Sequence, residues 1–449
     1  MRESWLHKRV LIVGMARSGI AASELLVALG AQVLLSDARA AIEAIEPLIA
    51  MGCIPHLGVP SETLVSGCDA VVISPAVHKD APAVLQAQKL GVPVYSELEL
   101  AASLLQGTQI AITGTNGKTT TCTLLGEILR QAGKKTFVGG NIGLALSAIV
   151  PKTDAESYTV VEVSSFQLEQ MNQFHPRGSA ILNLTPDHLD RHGDMESYGK
   201  LKESLLSNQC EEDFFVYNAD DPFCCSVASR AKAKGVPFSR AQVLQEGAWV
   251  QGGQLFIAGR AICSVEELSL PGMHNLENAL AAAAIASELM VPIPVIRHTL
   301  RTFAGVEHRM ELVDTLDGVT YINDSKGTNP ESSIHAVKSM KAPTALLIGG
   351  SEKEADFSLF IDEIIRNKHI IHVVLIGKSS GTLQKLLDEA GYTKYTCAGF
   401  DFKKAIDIAR RQVINGGTVL LSPACASFDM FKDFEERGTQ FKEIIYTLR

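Results

Sequence analysis

No pattern of paired cysteines organises this chain. Its nine cysteines are scattered, with Cys224 and Cys225 the only neighbours, and they form neither a CxxC pair nor a Cys/His cluster. Reduced, structural thiols are expected, because a chain this long needs no disulfide scaffold. Positive charge is also in short supply. The 41 Lys and Arg against 50 Asp and Glu leave a formal charge of -9, which excludes the broad basic footprint of a nucleic-acid or anionic-membrane partner. Long apolar runs are missing too. The chain enters an apolar strand at Arg9 with no secretory apolar segment before it, and the alanine-rich stretch Ala279–Ala286 is short and soon followed by Glu288. The expectation is therefore a cytoplasmic protein without membrane insertion.

What is present is 46% apolar content over 449 residues, enough for two or three domains. RVLIVG at Arg9–Gly14, a helical stretch from Ser18 to Leu29 and a second apolar run from Ala31 to Ser36 open a doubly wound α/β pattern. Gly14 and Gly19 in GMARSG permit a tight turn, but Ala16 stands where a dinucleotide fingerprint has its central glycine, so NAD binding is weakly supported. Asp37 lies at the end of the second strand, where it can accept from a ribose or a base or can cap a solvated turn, and Arg39 can add a phosphate or carbonyl contact.

A second α/β unit starts near Gln109, with strands at Thr159–Val163, Ala180–Leu184 and Phe214–Tyr217. A third begins after Phe303–Arg309, with strands at Glu311–Val313, Val319–Ile322, Ala345–Ile348, Ile371–Ile376 and Val419–Leu421. The first boundary is expected near 95 to 105.

The strongest chemical signal is GTNGKTT, Gly114–Thr120, after an apolar strand. Glycines let backbone amides face anionic oxygens, Lys118 supplies a point charge, and the Thr119 hydroxyl can ligate magnesium. Ile112 stands where the eight-residue Walker pattern wants glycine, so the loop is a shortened relative. Glu162, at the end of a neighbouring strand, is a suitable hard-oxygen partner for Thr119. Asp187, His188, Asp190, Arg191 and His192 form a polar cluster after AILNL; a βα loop facing a ligand and an ordinary polar loop both fit it, and His188 can offer a nitrogen to a second divalent ion. On local chemistry alone Lys202 reads as a surface lysine on a helix, and His308, Arg309, Asp324 and Lys326 as polar loop residues with an active-loop alternative. Asn275 and Asn278, three apart before an alanine run, share a helix face and suit a base or ribose, or an ordinary polar helix start.

Taken in order, GTNGKTT, EVSSFQLE (Glu162–Glu169), NLTPDHLDRH (Asn183–His192), GMHNLENALAA (Gly272–Ala282), His308–Arg309 and NDSKGTN (Asn323–Asn329) resemble the Mur ligase family, with SDAR at Ser36–Arg39 and SPACASFDMFKDFEERG at Ser422–Gly438 pointing to its D-glutamate-adding branch. The resemblance covers nearly the whole chain, from Gly14 to Phe441. It implies three α/β domains: a Rossmann-like N-terminal domain at 1–98 for the uridine nucleotide substrate, a central P-loop domain at 99–307 for ATP, and a Rossmann-like C-terminal domain at 308–449 for the amino acid. The implied reaction joins D-glutamate to UDP-N-acetylmuramoyl-L-alanine through an acyl phosphate, with ATP and two Mg2+ ions, in a monomer.

Carried onto this sequence, the resemblance gives the phosphates to Gly114, Thr115, Asn116, Gly117, Lys118, Thr119 and Thr120, and the nucleoside to Asn275, Asn278 and Asp324. Magnesium falls to Thr119, Glu162, His188 and Lys202, the last as a carbamate because an ammonium has no lone pair to donate. Arg309 neutralises transferring phosphate, and Lys326 helps orient the terminal phosphate. Arg17, Ser18, Asp37 and Arg39 face the uridine nucleotide, Gly140 and Asn141 the muramoyl group, and Thr328, Lys353, Ser427 and Phe434 the D-glutamate pocket. The resemblance leaves two other readings to test: a relative acting on a folate-like acceptor, and a nucleotide-regulated binding module. An NAD-dependent oxidoreductase, the remaining alternative, rests only on Gly14, Gly19 and Asp37.

Overall fold

In the computed structural model, residues 2–42, 45–187, 189–270, 272–351 and 355–449 are described. The chain forms two compact units, Met1–Phe303 and Ala304–Arg449. The first carries two sheets and the second carries one.

The first sheet has β1 (Arg9–Val13), β2 (Gln32–Asp37), β3 (Ile54–Leu57), β4 (Ala70–Ile73) and β5 (Val94–Ser96), all parallel in the order β3-β2-β1-β4-β5. Its inner strands are continuous Val, Leu and Ile runs, buried throughout β4 and over all but the first residue of β1, as helices on both faces require. The helix Glu97–Leu104 joins this sheet to the next and is itself largely buried. Its Glu97 accepts the Ser147 amide at 2.7 Å and its Glu99 the amides of Asn172 and Gln173. One apolar cluster runs from Val10 and Leu26 through Leu100 to Leu146 and Val161. The two sheets thus share a core, and the expected boundary at 98/99 falls inside a packed helix.

The second sheet contains β6 (Thr108–Thr113), β7 (Thr136–Gly140), β8 (Tyr158–Glu162), β9 (Gly178–Ile181), β10 (Phe214–Asn218), β11 (Lys234–Ser239), β12 (Ala248–Gln251), β13 (Gln254–Ile257) and β14 (Arg260–Ser264). Their order is β14-β13-β12-β11-β10-β9-β6-β8-β7, parallel except for the β12-β13-β14 meander at one edge. The helices Lys118–Gln131 and Met273–Glu288 pack together over β6, β10 and β11. The alanine run of the second helix is buried, and its small side chains permit that close approach.

The second unit has β15 (Glu311–Leu316), β16 (Val319–Asn323), β17 (Thr344–Gly349), β18 (Ile370–Ile376), β19 (Tyr395–Gly399) and β20 (Thr418–Leu421), ordered β15-β16-β20-β17-β18-β19. Only the β15–β16 pair is antiparallel. Among the described residues no helix is long and apolar enough to cross a membrane.

Candidate active site

The carboxyl ends of β6, β7, β8 and β9 lie side by side in the second sheet, where doubly wound proteins open their ligand crevice. β6 ends at Thr113, and the chain turns through Gly114–Gly117 into the helix that starts at Lys118. Gly114 has φ +146°, and a Cβ there would come within 3.0 Å of the Leu182 Cβ. Gly117 has φ +85°, and a side chain would run into Asn278 Oδ1. Both glycines are therefore required by geometry.

Thr119 Oγ1 donates to Glu162 Oε2 at 2.8 Å, so the two hard-oxygen groups read from the sequence do converge. The other Glu162 oxygen accepts Asn141 Nδ2 at 2.9 Å, and the Glu162 carbonyl accepts the Asn141 amide. The loop at Gly140 and Asn141 is thereby tied to the same carboxylate. Lys118 Nζ donates to the carbonyls of Gly114 at 2.9 Å and Thr115 at 2.7 Å, within the mouth of the phosphate loop. Asn278 is buried; its Oδ1 accepts from Thr121 Oγ1 at 3.3 Å and its Nδ2 lies 3.4 Å from Asn275 Oδ1. The two amides share the helix face next to the loop, as their spacing predicts.

Lys202 is the largest departure from its local reading. It is not a surface lysine: it is 1% exposed, on the helix Met195–Glu203. Its Nζ donates to Gly114 O at 2.9 Å and sits 4.2 Å from the centroid of the Tyr198 ring, one turn earlier. Burial, reinforced by the charge of Lys118, brings its pKa down to about 6. Tyr198 is stacked on the His192 ring, with centroids 5.1 Å apart, and His192 meets Ser165 Oγ at 3.0 Å. Arg191 grips Glu169 through two bonds of 3.0 and 2.8 Å. The polar cluster after β9 therefore supports the lysine-bearing helix. His188 lies outside the described residues.

In the first sheet, Asp37 Oδ2 accepts the Met15 amide at 2.8 Å, while Arg39 Nε reaches Oδ1 at 2.9 Å and Nη2 reaches Oδ2 at 2.9 Å. The Arg39 guanidinium holds the Asp37 carboxyl far below the usual range. This pair fastens the Gly14–Gly19 turn, with Arg17 exposed and Ser18 half-buried at the start of the helix Arg17–Ala28.

In the second unit, Asp324 is 2% exposed, and its carboxylate accepts from Ser422 Oγ at 2.7 Å and from the Met310 amide at 3.2 Å. Burial raises its pKa to about 6. Arg309 is exposed and directly follows the buried His308 that accompanies Asn323. Lys326 and Thr328 follow on the same loop, with Lys326 Nζ 6.0 Å from the Phe434 ring. Ser427 is buried. Arg437, fully buried, joins these segments: its guanidinium donates to Ser325 Oγ, Ser325 O and Cys425 O at 2.8 to 3.0 Å. Lys353 lies outside the described residues.

Three family models match the chain in order: a Mur ligase MurD-like N-terminal domain over residues 8–96, a Mur ligase middle domain over 112–286, and a Mur ligase glutamate ligase domain over 308–425. The UDP-N-acetylmuramoylalanine--D-glutamate ligase of Caldanaerobacter subterraneus subsp. tengcongensis is 42% identical over 451 residues, covering 99% of both chains. The ligase of the same name from Pelotomaculum thermopropionicum is 43% identical over 456 residues and 100% of both. The chain belongs to the Mur ligase family.

This Mur ligase is accordingly an ATP-dependent ligase. Its fold matches solved relatives of other specificity. The UDP-N-acetylmuramate-alanine ligase MurC of Thermotoga maritima superposes with a TM-score of 0.63 at 19% identity, covering 99% of this chain and 100% of that one. MurF of Acinetobacter baumannii gives 0.61 at 18%, covering 98% and 94%. The described donor set suits magnesium, since the Thr119 hydroxyl and the Glu162 carboxylate already touch beside the phosphate loop. Sequence reasoning on this Mur ligase missed Arg437, which looks like one more charge in an acidic helix, and Asn183, whose partner lies 67 residues away.

Proposed function

We propose that this chain joins D-glutamate to UDP-N-acetylmuramoyl-L-alanine, turning ATP into ADP and phosphate. The L-alanine carboxylate attacks the γ-phosphate to give an acyl phosphate, and the neutral amine of D-glutamate then displaces phosphate to form the amide. Lys118 and Arg309 balance the charge on the transferring group, with Lys326 orienting it. Two magnesium ions, when bound, neutralise phosphate charge, with Thr119 and Glu162 for one and His188 and Lys202 for the other. The first sheet carries the uridine nucleotide through Asp37 and Arg39, the second carries ATP, and the second unit carries D-glutamate through Thr328, Lys353, Ser427 and Phe434. Residues 1–98, 99–307 and 308–449 are the corresponding functional domains, acting in the cytoplasm.

The observation that carries this reading is the buried amine of Lys202 on the same carbonyl as Lys118. With a pKa near 6, most of it is neutral at pH 7, and a neutral amine attacks carbon dioxide. The new N–C bond releases a proton and leaves a carbamate, whose two oxygens can bind a hard cation where an ammonium cannot. The test is direct: with both substrates, ATP and Mg2+, amide product and ADP should appear in equal amounts by mass spectrometry. L-glutamate should give far less product; equal turnover of the two enantiomers would overturn the assignment of the amino acid.

A further inference from the structure

The phosphate loop is fastened from outside. The Asn116 amide donates to Asn183 Oδ1 at 2.8 Å, and Asn183 Nδ2 donates back to Asn116 O at 3.2 Å. One side-chain amide thus pairs with both polar groups of a single residue, as a neighbouring strand would. The Thr115 amide donates to Asn183 O at 3.1 Å, Thr115 Oγ1 donates to Thr185 O at 3.1 Å, and the Thr185 amide donates back to Thr115 Oγ1 at 3.1 Å. The loop needs this outside support because it is short: Ile112 lies within β6, where a longer phosphate loop has its first glycine.

We propose that Asn183 is a positioning residue for ATP, holding the Asn116 peptide so that the amides opening the helix at Lys118 meet the phosphates. This rests on the reading of the site as that of an ATP-dependent ligase. Amides of a first helical turn have no acceptor within the helix, and their dipoles favour an anion. They bind tightly only if the turn before them is already in place, since ordering a loose loop on binding subtracts from affinity. Asn183 is half-buried and follows the central strand β9, so its own position is set by the sheet. The segment it begins continues to His192, whose ring stacks on Tyr198 in the helix that carries Lys202, which gives the nucleotide loop and the lysine helix a common anchor.

The test uses the full chain with MgADP as the probe, titrated calorimetrically against wild type, Asn183→Ala and Asn183→Asp, with UDP-N-acetylmuramoyl-L-alanine titrated in parallel. Asn183→Ala removes both halves of the pair and should weaken MgADP about tenfold. Asn183→Asp keeps the acceptor, loses the donor and sets a negative charge beside the phosphates, so it should weaken MgADP about a hundredfold. Affinity for the uridine substrate should stay within about twofold, a split that general loss of structure would not produce. If Asn183→Ala does not fold, the isosteric Asn183→Asp decides alone. Wild-type MgADP affinity in folded Asn183→Asp would overturn the inference, as would a wild-type protein that does not bind MgADP. A wild type that binds MgADP but never incorporates D-glutamate would refute the proposed reaction, while these affinities would still decide the role of Asn183.

Discussion

Replacing Lys202 by methionine should abolish ligation and make the first compact unit more stable. An unfolded lysine holds its proton to about pH 10.5, whereas burial beside Lys118 brings the folded amine to about 6. Folding at pH 7 must therefore remove that proton, which costs about 5 kcal/mol at about 1.4 kcal/mol per pH unit. Methionine has a similar length and no charge. It gives up the bond to Gly114 O, worth about 1 kcal/mol, and its imperfect fit costs about 1 more. The carbonyl is not orphaned, because Lys118 Nζ still donates to it. The net expectation is a gain of about 3 kcal/mol at pH 7.

The sign of the pH dependence follows from the lowered pKa. Between pH 6 and 10.5 the unfolded lysine binds more protons than the folded one, so wild-type stability rises with pH while the variant lacks this contribution. The advantage of Lys202→Met should shrink by about 1.4 kcal/mol per pH unit and vanish near pH 9. Urea unfolding followed by tryptophan fluorescence reads the relevant unit, since Trp5 and Trp249 both lie in it. Buffers must be purged of carbon dioxide. Adding bicarbonate should then raise the stability of wild type alone, as a ligand of the folded state does. A folded variant that is no more stable than wild type at pH 7, or a gap that does not change with pH, would refute the argument.

Glu162→Gln should lower ligation at least about a hundredfold, because the amide cannot replace the carboxylate beside Thr119; ADP release at saturating ATP reads this, and the unfolding midpoint should barely move. Gly117→Ala should lose about 1–3 kcal/mol of stability, from strain at φ +85° and the clash with Asn278, and calorimetry should show weaker MgADP binding. Arg39→Ala frees Asp37 from its guanidinium partner and should weaken binding of the uridine substrate about tenfold with MgADP unaffected; parallel titrations of the two ligands check it. Arg437→Ala leaves the buried Ser325 and Cys425 carbonyls without their donor and should destabilise the second unit by about 3 kcal/mol or more in urea.

The parts of the fold that could be read from the sequence are those buried on both faces. β1, β2, β17 and β20 are short apolar runs whose expected bounds fall within a residue or two of the observed ones. The strands with the weakest sequence signal lie mostly at edges or in the meander, with the interior β11 an exception. β3 has no buried residue, β19 has one, and β7 ends in two glycines. The β12–β13 hairpin did carry a local signal, since Gly252 and Gly253 both have positive φ in a two-residue turn. In the site, a motif and a strand end mark Thr119 and Glu162 as candidate ligands, while their meeting follows from the parallel pairing of β6 with β8. The burial of Lys202 was not: Lys200, two residues earlier, is exposed and paired with Glu196, and MESYGKLKE reads as a solvated helix unless one knows which face the second sheet covers.

Burial displaces many groups here, but the direction of displacement separates the useful from the inert. Desolvation pushes the Tyr392 phenol to about 12 and raises the Cys224 thiol well above its ordinary value, which locks both in their neutral forms. Arg437, lowered to about 10, remains a cation. Lys202 and Asp324 are instead brought from opposite sides to about 6, where a proton can be gained or lost near neutral pH. One lies in each compact unit, and both bond to segments in the motifs that mark the family: Lys202 to the phosphate loop, and Asp324 to Ser422 of SPACAS. At pH 7 each destabilises the ligand-free fold, because the unfolded chain holds both groups in their favoured charged forms. Neither the lysine's position under the phosphate loop nor the aspartate's behind the Arg309 turn is required by the sheets, whose cores close without them. Strain of that kind, held at the phosphate loop in one unit and behind the Arg309 turn in the other, is what loops poised to take up ligands would hold before those ligands arrive.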